Sequence, residues 1–313
     1  MKRLFYFILL LVGVATVHSC KDTLDENGDP LVDINMNTGL NGPRALYREI
    51  TDSDTLATYY YNGLQLSKVI TDSADSAANI AWSGDKISRV DFRGFLDLDG
   101  NNKIDKDSIS YTQQFTYGNT GRLEIISENR SFYVRSITAP YSVAAPGPQT
   151  LYKKTKALYN LKYAAATGKL DSIIMRNGPD APGTSFTDYS KTKYEYSGDN
   201  ISKVTKTFGT MNGNIFGAVT GKWGYDYGNY DAQISPFTLL PNAYKISRLL
   251  SVENKDNDLK NFWILSPNSP KRISATDLTQ PVPDPLIKST DYVYDPQTYM
   301  IRGYGVNYIY KPL

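Results

Sequence analysis

The chain has 313 residues, with 34 Lys and Arg against 32 Asp and Glu, a net charge of +2, and many Tyr (25), Gly (23) and Pro (16). That balance leaves no electrostatic footprint for nucleic acid. The one histidine and one cysteine, His18 and Cys20, stand near the N-terminus, so the rest of the chain has no imidazole or thiol for Ser–His–Asp or Cys–His catalysis, or for His- or Cys-ligated zinc or iron. Any enzyme here works with carboxylates, Lys or Tyr.

Lys2 and Arg3 form a positive n-region, and Leu4–Val17 supply 14 uncharged, mostly apolar residues. This is the pattern of a secretory signal peptide, and it is shorter than the roughly 20 apolar residues of a spanning helix. The next residues, "VHSC", resemble a bacterial lipobox. The resemblance implies a lipoprotein signal peptide over 1–19, cleavage before Cys20 and acylation of that residue. No second cysteine exists to make a disulfide instead. Acyl chains contribute about 0.8 kcal/mol per buried CH₂, so the expected location is lipid-anchored at the outer membrane, facing the periplasm or the cell surface. The mature chain then has 294 residues, with 32 basic and 32 acidic.

Residues 20–54 are polar and acidic with little periodicity, and read as a tether. Their start, "CKDTLDE", resembles the acidic surface-export signal of Bacteroidota lipoproteins. Residues 55–313 read as a single repeat-built β domain. Tyr59/Tyr61, Ile80/Trp82, Phe115/Tyr117, Leu161/Tyr163 and Tyr194/Tyr196 are apolar pairs at i and i+2, each followed by a glycine: Gly63, Gly84, Gly121, Gly168 and Gly198. Aliphatic pairs three residues apart come next: Leu66/Val69, Ile87/Val90, Leu123/Ile126, Leu170/Ile173 and Ile201/Val204. Tyr225/Tyr227 and Tyr292/Tyr294 open looser copies, and Ile246/Leu249 in "YKISRLL" matches the second half alone.

Residues i and i+2 of a strand share a face, and the glycines supply the positive φ of hairpin turns. The +3 spacing of the aliphatics does not fit a flat strand and predicts a bulge or strong twist in each second strand. A helix has little support; only "LYKKTKALYNLKYAAA" has a helical option, and the hairpin frame explains its end better. The predicted fold is all-β: a long, curved antiparallel meander of β-hairpins, with a partly closed barrel-like sheet as one form.

Three features bear on chemistry. "DLDGNNKID", residues 97–105, resembles the first nine positions of an EF-hand-like or dockerin-like calcium loop. Asp97, Asp99 and Asn101 would offer side-chain oxygens, Lys103 its carbonyl, and Asp105 a direct or water-mediated contact. Asn102 replaces the turn glycine, and Ser108 the bidentate Glu; a polar hairpin loop is the other reading. The tyrosines can stack on a glycan or a protein ligand, or act as cross-strand ladders that hold the sheet together. Trp223 and Trp263 point to the C-terminal half as the place for a binding surface. Asp226 with Asp231, or Asp291 with Asp295, can be written as a glycosidase pair, which gives a carboxylate-dependent glycan hydrolase as the alternative to a non-enzymatic binding or scaffold module.

"YEYSGDNISKV" and "FTYGNTGRLEII" resemble YD-type (RHS-like) repeats, hairpin units of bacterial secreted proteins. With the lipobox and "WGYDYGNYDAQISPF" at 223–237, the chain resembles a Bacteroidota lipoprotein family of porin-like fold that has no assigned activity. Only Asp226 and Asp295 keep the aspartate of the YD unit. Porin-like does not imply a porin: outward Lys or Arg would cost several kcal/mol each at a bilayer midplane. Membrane contact is therefore expected through the lipid anchor.

Overall fold

The computed structural model describes residues 44–71, 76–95, 107–136, 140, 147–250 and 261–312. Within them, seventeen strands form one antiparallel sheet: β1 (Arg44–Ile50), β2 (Thr55–Asn62), β3 (Gln65–Thr71), β4 (Ser76–Ser83), β5 (Lys86–Phe95), β6 (Asp107–Tyr117), β7 (Leu123–Arg135), β8 (Gln149–Tyr163), β9 (Leu170–Pro179), β10 (Asp188–Ser197), β11 (Asn200–Asn212), β12 (Ile215–Tyr230), β13 (Pro270–Asp277), β14 (Leu286–Ser289), β15 (Val293–Tyr294), β16 (Met300–Gly303) and β17 (Val306–Pro312). Neighbours in sequence are neighbours in space, which makes the sheet the expected meander.

The bulge implied by the +3 aliphatic spacing is present in all five copies. In β2–β3, Tyr60 faces Lys68 but Tyr61 faces Leu66, so Ser67 is the extra residue. The same slip leaves Ser88, Glu124, Asp171 and Ser202 unpaired in the next four hairpins. An extra residue restores the inward direction of the second aliphatic and bends the strand. Leu66/Val69 and Ile201/Val204 therefore all lie in the core. Gly63, Gly84 and Gly198 take φ of 59°, 65° and 58° in two-residue turns.

β1 lies inside the stretch read as a tether, so the domain begins at Arg44 at the latest. The strand was hidden because "RALYREI" puts its charges at both ends, yet Ala45 and Leu46 are buried and β1 pairs on both sides, with β2 and with β17. That second pairing brings the two ends of the meander together. The sheet is nevertheless not closed: among the described residues, β14 pairs only with β13 and β15 only with β16. Since β17 is antiparallel to β1, strand alternation makes β14 and β15 run in the same sense. They form one line of chain broken at 290–292. Side chains hold this seam. Tyr292 and Tyr304 both donate to the Pro270 carbonyl of β13, at 2.6 and 2.9 Å, with their rings edge to face.

"YKISRLL" is a correction. It belongs to helix α1 (Asn242–Leu250), not to a hairpin. A +3 spacing suits a bulged strand and a helix face equally well; what differs is the prelude, Pro241 in place of a glycine turn, and Lys245 N–H closes the first helical bond onto the Pro241 carbonyl at 3.0 Å. "LYKKTKALYNLKYAAA", by contrast, is strand up to Tyr163, as the hairpin frame expects. α1 and two 3-10 turns, Pro236–Leu239 and Phe262–Leu265, belong to the long β12–β13 connection. This connection fills the inside of the curved sheet: Phe237, Tyr244, Leu249 and Phe262 share one core with the strands' inward residues.

Candidate functional site: a filled interior and a charged outer wall

The inside of the sheet is where a barrel would keep a channel or a ligand. Here it is occupied, and two buried polar clusters fix the occupant. In the first, α1 Arg248 donates to both carboxylate oxygens of Glu49 on β1, at 2.7 and 3.2 Å, and to the Tyr59 hydroxyl at 2.9 Å; Tyr59 in turn donates to Glu49. Burial, with the Glu49 charge, pushes the Tyr59 hydroxyl well above its usual pKa, so Tyr59 stays a donor. In the second, Ser247 donates to Gln113 at 2.5 Å, Gln113 to Glu128 at 2.5 Å, and Arg130 bonds both Glu128 and Tyr159. Burial opposes the Arg130 charge, but Tyr159 and Glu128 outweigh it and raise the Arg130 pKa. In each cluster the buried carboxylate is paired with an arginine. A cavity of about 40 Å³ beside Tyr159, Tyr194 and Phe262 has room for a few waters and not for a sugar ring.

The paired aromatics have a specific task. Between successive hairpins the backbone ladder stops short of the tight turns; β3–β4, for example, ends at Lys68–Asn79. There the second aromatic of one copy donates to the carbonyl of the first aliphatic of the copy before. Trp82 bonds Leu66 at 2.8 Å, Tyr117 bonds Ile87 at 2.9 Å, Tyr163 bonds Leu123 at 2.7 Å and Tyr196 bonds Leu170 at 2.9 Å. Tyr61 does the same to Leu46 of β1. In the looser copy the donor is Tyr230, which bonds Ile201. Lys86, Arg122 and Lys169, each from the preceding turn, lie 5.4–5.6 Å from the centres of the Tyr117, Tyr163 and Tyr196 rings. These aromatics serve cohesion.

The other expected sites fare as follows. Cys20 and the loop residues Asp97, Asp99, Asn101, Lys103 and Asp105 lie outside the described residues; the loop connects β5 to β6. Among the described residues no three His, Cys, Asp or Glu gather as metal ligands. Of the paired carboxylates, Asp231 and Asp295 are engaged in local bonds, whereas Asp226 and Asp291 are exposed. Asp231 accepts from Ser269 N–H and the Tyr294 hydroxyl, and Asp295 accepts from Arg44 and from the Gln297 and Tyr299 amides. Asp226 faces outward, 3.9 Å from Lys203. Trp263 is a correction to the expected C-terminal binding surface, because it is 3% exposed in the core, edge to face with Phe237. Trp223 is half-buried, stacked on Tyr225.

The outer face of the sheet is the opposite of the inner one. Arg89, Asp91, Lys193, Glu195, Lys203 and Asp226 stand at mid-strand positions that alternate with core residues. A membrane barrel carries an apolar outer band, and each Lys or Arg at the bilayer midplane costs about 2–4 kcal/mol. These positions on β5 and β10–β12 therefore face water, whereas β14–β17 expose Leu286, Ile287, Val293, Ile301 and Ile309. Separately, no helix among the described residues is long and apolar enough to cross a membrane.

No protein-family model and no curated protein matches the chain. Among solved structures it is similar to a porin-like protein from Bacteroides vulgatus, at 12% identity over 86% of this chain and 99% of that one, with a TM-score of 0.44. It is also similar to a porin-like protein from Bacteroides uniformis, at 12% identity over 72% of this chain and 96% of that one, with a TM-score of 0.26.

Proposed function

We propose that the protein is a cell-envelope lipoprotein of the outer membrane, held by acyl chains on Cys20, that acts as a non-enzymatic binding or scaffold module. The observation that carries this reading is the polarity of the sheet: charged on the outer face of β5 and β10–β12, filled inside. An interior filled by the β12–β13 connection and a charged outer face on β5 and β10–β12 support the exterior as the protein's working surface. Its attachment then falls to the "VHSC" segment. Fractionation with detergent phase partitioning tests it. The wild-type chain partitions with detergent and Cys20→Ala with water; a Cys20→Ala chain that stays with detergent overturns the anchor.

The loop 97–105 is a calcium site in the same reading, supported by its alternating oxygen donors. Calcium at millimolar concentration then raises the Tm of the full chain and leaves Asp97→Asn/Asp99→Asn unmoved. A wild-type Tm indifferent to calcium removes the site.

A further inference from the structure

On the outer wall of β8–β12, the strand registers line up two rows of cations and hydroxyls that run across the strands. In the first row Lys162 faces Ser172, Ser172 faces Lys193, Lys193 faces Thr205, and Gly224 and Thr276 continue the line. In the second row Asn160, Ile174, Lys191, Thr207 and Lys222 follow one another. Each row thus holds two cations two strands apart, Lys162 and Lys193 in the first and Lys191 and Lys222 in the second, about 9.6 Å apart at twice the interstrand spacing, with Ser172 or Thr207 between them. Arg176 stands in the row beyond, on the same face.

None of Lys162, Lys191, Lys193, Lys222 and Arg176 forms an ion pair among the described residues, although the chain as a whole is nearly neutral. Asp171 accepts from Ser172 within the first row, Glu195 and Asp226 stand one step beyond that row on the turn side, and Asp188 lies past the second. Two of the cations are held in place. Lys191 Nζ sits 4.0 Å from the centre of the Phe216 ring and the Arg176 guanidinium 5.5 Å from it, while Tyr189 packs edge-on against the same ring.

We infer that this wall binds a linear anionic polysaccharide, with a carboxylate or sulfate on about every second sugar, laid across the strands. Charge complementarity and the spacing carry the assignment, because the two cations of each row, two strands apart, meet acids on alternate sugars, and Thr207 between Lys191 and Lys222 meets a hydroxyl of the sugar between. Phe216 already has its ring covered, so bases of a single-stranded nucleic acid find no stacking platform here. The inference rests on the binding-module reading and names its ligand class.

The test uses the full chain in detergent micelles and a hyaluronan decasaccharide as probe, followed by titration calorimetry. A neutral cello-oligosaccharide, polyaspartate and phosphatidylglycerol vesicles serve as comparators. Hyaluronan binds, the neutral glycan does not, and affinity falls with salt. Lys162→Gln/Lys191→Gln/Lys193→Gln/Lys222→Gln weakens binding by about tenfold or more with Tm unchanged, whereas Lys68→Gln/Arg89→Gln on the far side of the sheet does not. No hyaluronan binding, a four-site variant that binds as well as wild type, or polyaspartate or vesicles binding more tightly than hyaluronan each overturns it. Hyaluronan that is bound and also cleaved keeps the wall and overturns only the non-enzymatic reading. Failure of binding overturns the wall and leaves the lipid anchor standing.

Discussion

The aromatic at the end of each copy replaces a missing backbone bond with a side-chain one. Its hydroxyl or indole N–H reaches a carbonyl that the ladder no longer serves, so it lends most where the sheet is about to splay. Tyr196→Phe removes the bond to Leu170 and leaves that carbonyl with one partner fewer. It should cost about 1 kcal/mol, read as a lower urea midpoint at unchanged slope. The pairs themselves are plain in the sequence, as are the glycines behind them. The bond is not, because it depends on where the neighbouring ladder stops, which is a matter of bulges and twist and not of residue type. Buried tyrosine hydroxyls, in these bonds and at the seam, also act at alkaline pH. Burial pushes Tyr163 and Tyr304 to about 12, whereas an unfolded tyrosine titrates near about 10. The folded state thus holds the proton more tightly, and its advantage is complete below about pH 10 and disappears as pH rises toward about 12. The Tm should hold level to about pH 9 and fall above about pH 10; a level Tm across that upper range would show that these hydroxyls are not buried.

At the scale of elements, hairpins were legible and the interior segment was not. A glycine turn between an aromatic pair and an aliphatic pair has few other physical solutions, so β2–β3, β4–β5 and β10–β11 could be drawn from sequence. "YKISRLL" offered the aliphatic half without its turn, and only packing decides such a segment. α1 is buried nearly all round, at Tyr244, Lys245, Ile246, Ser247 and Leu249, as a helix that fills an interior must be. The polar groups that lock it there, Glu49 and Gln113, lie 199 and 134 residues from their partners Arg248 and Ser247, a separation at which no local pattern points to the contact. Arg248→Met strands the Glu49 carboxylate in the interior, which typically costs about 3–5 kcal/mol. Adding Glu49→Gln should recover part of the loss. If the double variant melts no higher than the single one, the pair is not what holds α1 in place.

At the scale of the whole molecule, the two faces of one sheet divide the labour between cohesion inside and contact outside. The seam is the weak line in that arrangement, since tyrosine hydroxyls stand there in place of a ladder. Amides of β14–β16 should exchange with solvent well before those of β6–β8, measured by native-state hydrogen exchange. Equal protection would mean that the sheet is in effect continuous. The stapled hairpin also bears on how such a body changes size. Each copy carries its own turn and fastens itself only to the copy before it, so a duplicated copy arrives with its attachment included. Because a copy is two strands, adding or deleting one preserves the alternation that lets β1 meet β17 antiparallel, whereas a single added strand would force that meeting to be parallel. Circumference is therefore free to grow or shrink in steps of two strands, and the β12–β13 connection is the part that must be rebuilt to fit each new girth.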